Sequence, residues 1–125
     1  MSIAGLSYVG DLLKSLSIPY RFMEWKGTPP ADYYFVGEYN EVPSLTREEN
    51  GHSETTFILR GFTRGDWALL EQAREKIERN AAKTAILSDG TGFAVFYDAA
   101  TVVPTGDSEL KSIKINLTIQ EWKVN

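Results

Sequence analysis

The chain has 125 residues, of which 42% are hydrophobic and 12% aromatic, the composition of one globular domain with a core of its own. It contains no cysteine, which excludes disulfides, thiolate catalysis and cysteine-based zinc sites and suits a reducing compartment such as the cytosol. A formal charge of −4, without a Lys/Arg cluster, argues against general nucleic-acid binding, and the N-terminal stretch lacks the basic and apolar runs of a signal peptide or membrane span.

In chain order, residues 3–16 read as an amphipathic helix with Ile3, Leu6, Val9, Leu13 and Leu16 on one face. Gly5 and Gly10 each weaken it by about 1 kcal/mol relative to Ala. Pro19 pushes Ile18 out of helical geometry, and a first strand is expected over Tyr20–Trp25, ended by Gly27-Thr28-Pro29-Pro30. Tyr33–Val42 is a second strand, rich in aromatic and β-branched residues, with Pro43 at its exit. A polar loop then carries Arg47, Glu48, Glu49, Asn50, Gly51 and His52, with no buried pattern, and is expected to project into solvent or a partner.

The stretch from Ser53 to Ala81 is the organising one. It reads as a long strand (Ser53–Thr63), a corner at Gly65-Asp66, and a helix capped by the Asp66 carboxylate. Leu69, Leu70, Ala73, Ile77 and Ala81 share one helical face with Trp67 on its flank, while Glu71, Gln72, Glu75, Glu78 and Arg79 form the wet side. Thr84–Leu87 and Gly92–Tyr97 flank a Ser88-Asp89-Gly90-Thr91 hairpin turn, and Val102-Val103-Pro104 closes that region. In the last strand, Leu110–Val124, the apolar residues Ile113, Ile115, Leu117 and Ile119 alternate with polar ones until Glu121-Trp122, where the changed phase suggests a bulge or bend. The expected class is α+β: a mainly antiparallel sheet flanked by two amphipathic helices, in the order α-β-β-β-α-β-β(-β), as a single domain over residues 1–125.

No catalytic constellation emerges, and neither a cofactor nor a metal site is expected. His52, the single histidine, lies among Glu48, Glu49 and Glu54, a loose cluster of low specificity for a metal or acid–base site. Arg64-Gly65-Asp66 is accounted for by a turn and a helix cap, and Asn116-Leu117-Thr118 by its place within a strand. Tyr33, Tyr34, Phe35 and Tyr39 suit packing better than base stacking, since the basic frame of a nucleic-acid platform is missing. What remains points to surfaces: the loop at 46–53, the terminal Trp122 and Val124, and a terminal strand that offers an edge.

The element order and the block GEYNEVPSLTREENGHSETTFILRGFTRGDWALLEQA resemble the tail terminator, or tail-to-head joining, proteins of long-tailed bacteriophages and prophages of Gram-positive hosts. The resemblance spans about residues 3–124 as architecture and implies a virion structural protein without enzymatic activity. It implies self-association into a ring, most often a hexamer, that closes the tail tube, meets the tube protein on one face and the head connector on the other, and lets DNA pass through its lumen. Assembly would take place in the bacterial host cytoplasm, the finished protein residing in the virion tail, with no membrane partner. The subunit or partner interface falls, on the same ground, at Arg47, Glu48, Glu49, Asn50, His52, Glu121, Trp122 and Val124. Two alternatives stand beside it: a small adaptor binding through a sheet edge and, more poorly, a metal-dependent enzyme using His52.

Overall fold

The computed structural model describes residues 1–41, 52–87 and 89–123, save the side chains of His52 and Lys123. Among the described residues, two helices and six strands follow one another as α1 (Ile3–Ser15), β1 (Tyr20–Phe22), β2 (Tyr34–Glu41), β3 (His52–Thr63), α2 (Trp67–Ala81), β4 (Lys83–Ile86), β5 (Thr91–Val103) and β6 (Lys111–Lys123). One sheet holds all six strands in the order β1-β2-β3-β6-β5-β4. Every pairing is antiparallel except the parallel one between β1 and β2, so the expected α+β class and element order are observed.

Both helices lie on the same face of this sheet, and their contact with it is the core. From α2 come Leu70, Ala73, Ile77 and Ala81 of the expected dry face, with Trp67 half-buried beside them, while Leu69 is only half-buried and stands outside the core. The sheet answers with Phe35, Phe57, Leu59, Phe93, Val95, Ile113, Ile115, Leu117 and Ile119. Burying one such side chain contributes about 1.5–3 kcal/mol, so this layer supplies most of the drive to fold. The Asp66 carboxylate accepts from the Ala68 N–H at 3.0 Å, and Arg79 bonds Glu75 one turn back at 3.4 Å, both as their spacing requires.

The first helix is rotated from its expected setting. Gly5, Val9 and Leu13 face the core, with Tyr8 against Phe93 at 4.7 Å, while Ile3 is 83% exposed. The reason lies at the other end of the chain. Glu121 sits on the core face of β6 and accepts from the Ser2 N–H at 3.1 Å and the Ser2 hydroxyl at 2.5 Å, while that hydroxyl also accepts from the Gly5 N–H at 2.9 Å. A Cβ on Gly5 would stand 2.6 Å from the Glu121 carboxylate, so the missing side chain is what lets the helix dock there. Gly5 is a close-approach residue, not merely a weak helix former.

The same contact corrects the expectation of a bulge at Glu121-Trp122. The alternation of β6 runs on without a break: Glu121 follows Ile119 on the core face, and Trp122 follows Gln120 on the open one. A polar residue has taken an apolar place in the pattern, because a helix N-terminus waits there for an acceptor. The register shift of this sheet falls instead on β5, between Tyr97 and Ala99, where the displaced Asp98 accepts from the Thr118 hydroxyl. β5 is also longer than expected, continuing through Val103, and the first strand is shorter, since Met23 adopts φ 72° and ends it.

A second correction concerns the terminal strand. β6 is no edge: it enters the middle of the sheet, paired to β3 from His52↔Trp122 to Thr63↔Lys111 and to β5 from Thr91↔Lys123 to Val103↔Ser112. Thirteen residues of near-perfect alternation need a paired neighbour on each side, and the chain provides both.

Candidate functional site

Of the eight residues expected at an interface, Arg47, Glu48, Glu49, Asn50 and Val124 lie outside the described residues. The other three converge on one end of the sheet. His52 opens β3 and is the cross-strand partner of Trp122, which in turn faces Gly92 of β5. The indole lies across Gly92 closely enough that no Cβ would fit, so the glycine makes room for the ring. Glu121, one position earlier, turns the other way and is 6% exposed, engaged by Ser2 as described. Within the monomer, then, Trp122 lies on the open sheet face and Glu121 inside.

The chemistry of the titratable groups follows from packing and turns. Burial raises the phenol pKa values of Tyr8 and Tyr33 and pushes that of Tyr20 up to about 12. Hydrogen bonds from Thr91 lower the pKa of the Asp89 carboxyl, and the backbone N–H of Glu109 together with Arg64 lowers that of Asp107. Among the described residues no three His, Cys, Asp or Glu side chains gather to hold a metal ion. Glu54, the one described carboxylate of the His52 cluster, takes a long bond from Gln120 at 3.5 Å. No described helix is long and apolar enough to cross a membrane.

The sheet edges are where binding capacity is left over. β4 covers β5 only from Gly92 to Val95, so the far half of β5, Phe96 to Val103, has no strand on that side among the described residues. This half is exposed along Asp98–Val102, and Val102 is 65% exposed. Beside it runs a groove of about 400 Å³ between the strand and α2, lined by Glu71, Arg74, Glu78, Tyr97, Ala100 and Val102 together with Ile113. The Tyr97 hydroxyl is buried there beside the Arg74 guanidinium, which it helps to hold charged, although the two are not aligned as a full hydrogen bond. On the opposite edge, β1 is three residues long and leaves Phe22 and Met23 exposed.

This open half of β5 escapes a reading of local sequence, because Asp98-Ala99-Ala100 has low strand propensity and interrupts the pattern. The available signal is the length of the final strand. A β6 of thirteen residues needs a long neighbour on each side, and with β3 on one of them the segment through Val103 supplies the other.

The fold is shared with solved structures across almost the whole chain. A chain of the virion of a native gene transfer agent particle superposes with a TM-score of 0.64 at 11% identity, over 89% of this chain and 84% of that one. A second solved chain, whose description states no activity, reaches a TM-score of 0.66 at 17% identity over 98% and 93%. At these identities the likeness establishes the fold. No protein-family model matches the sequence, and no curated protein matches it either.

Proposed function

We propose that this protein is a structural component of a phage or prophage tail, a terminator that self-associates into a ring, closes the tail tube and joins it to the head connector. The observation that carries the reading is the fold likeness, over 89% of the chain, to a chain of a gene transfer agent virion, which agrees with the architecture the sequence resembles. A helix-covered sheet with open edges fits that role, because a closed ring needs two different, complementary surfaces on each subunit. Such a contact buries about 1,200 Å² or more, with aromatic anchors near its centre. The hexamer is the proposed ring size, with the tube protein on one face and the connector on the other. The acidic balance, −4 per chain, suits a lumen through which DNA slides without adhering. The protein works by shape and contact, without a cofactor.

Disrupting the gene in the phage or lysogen that encodes it tests the reading by electron microscopy. Filled heads and tails are expected to accumulate unjoined, and supplying the protein in trans is expected to restore complete particles. Complete, infectious particles formed without it would contradict the reading.

A further inference from the structure

The chain exposes six large hydrophobic side chains among its described residues: Ile3, Phe22, Met23, Ile86, Phe96 and Val102. Five of them lie on or beside the two edges of the sheet. Phe22 and Met23 belong to the β1 edge, and Ile86, Phe96 and Val102 to the edge formed by β4 and the uncovered half of β5. Exposed apolar residues scattered singly need no explanation, whereas their concentration along unpaired strand edges marks pairing surfaces. Arg21 on β1, Lys83 on β4 and the bulge at Asp98 shorten or interrupt these edges, but among the described residues the apolar side chains along them stay exposed.

We infer that the two edges are partners for one another in neighbouring copies: β1 of one subunit adds to the uncovered half of β5 of the next, joining the subunits head to tail through a continuous sheet. The inference rests on the self-association proposed above and names its surfaces. Strand direction supports it. β1 runs parallel to β2, and three successive antiparallel steps then leave β5 running opposite to β1. A neighbour related by rotation about an axis along the strands therefore brings its β1 antiparallel to β5, the sense in which β4 already pairs with the same strand. The helices of both copies stay on one side.

Side chains agree with the backbone. Tyr20 and Phe22 occupy the helix-side face of β1, as the stacking of Phe22 on Tyr39 and Phe57 at 5.9 and 6.4 Å requires. In the joined sheet they meet the groove beside Ala100 and Val102, whose small and apolar side chains leave room for rings. Because the joined surfaces differ, the contact is heterologous and leads to a closed ring or a filament.

The test uses two single-edge variants, Val102→Lys and Phe22→Lys, with Ile3→Lys as a control at an exposed hydrophobic that belongs to neither edge strand. Each variant is first checked for an unchanged circular dichroism spectrum and melting temperature, and its mass is then followed by light scattering over a concentration series. Wild type and Ile3→Lys are expected to form the same oligomer, whereas each edge variant alone falls to 14.0 kDa. An equimolar mixture of the two edge variants is expected to double that mass and go no further, because each supplies the edge that the other lacks. An oligomer that survives both substitutions overturns the edge pairing but leaves the ring reading standing. Loss of assembly in both variants without dimer formation on mixing overturns the head-to-tail arrangement. A wild-type chain that stays monomeric at every concentration overturns both.

Discussion

The centre of this sheet and its edges are built to opposite rules. Where β3 meets β6, every residue has a partner, and the core face is a run of large side chains with no measurable exposure, including Phe57, Leu59, Ile115 and Ile119. At the edges, β1 and β4 are three and four residues long, half of β5 stands uncovered, and apolar side chains face water. The first region uses its hydrophobic and hydrogen-bonding capacity inside the molecule. The second leaves it unused within the described residues, at little cost to the monomer. If the proposed edge pairing holds, stability and assembly are separated in space, so that substitutions in one region should leave the other property nearly untouched.

That separation can be broken by measurement. The largest loss is expected for Phe57→Ala, which empties a fully buried ring site at the middle of β3 and should cost about 3–5 kcal/mol in urea unfolding. Next comes Gly61→Ala. Its added Cβ would stand 2.5 Å from the Phe35 ring, itself without exposure, so a loss of about 1–3 kcal/mol is expected from overpacking. Ser2→Ala removes the cap of α1 and the partner of the buried Glu121 carboxylate, with an expected loss of about 1–2 kcal/mol, seen as a lowered midpoint of denaturation. The smallest effect is expected for Val102→Lys, within about 0.5 kcal/mol of wild type, since the side chain is mostly in water already. A destabilisation by Val102→Lys as large as that of Phe57→Ala would erase the distinction between centre and edge.

Much of the fold was legible from local pattern, and α2 shows why. Its apolar spacing, its Asp66 cap and its Glu75–Arg79 pair are all set within a few residues, and each appears in the structure where expected. The alternation of β6 was equally legible, but its place was not. Pairing partners are chosen across the whole chain, and nothing between Lys111 and Lys123 announces that β3 and β5 will close on either side. Glu121 misled for a related reason: read along the strand it breaks the pattern, and only the distant Ser2 explains it. For a surface the sequence pointed to the loop before β3, which lies outside the described residues, and to the terminal strand, which is paired on both sides. Among the described residues the far half of β5 is the long unpaired edge, behind the bulge at Asp98.

The most direct test of the account is the solution mass of the unmodified chain, measured by light scattering over a wide concentration range at several salt concentrations. A ring-forming tail protein predicts a concentration-dependent rise from 14.0 kDa to one closed assembly of defined mass, with six subunits as the proposed end state. A mass fixed at 14.0 kDa under every condition would contradict it.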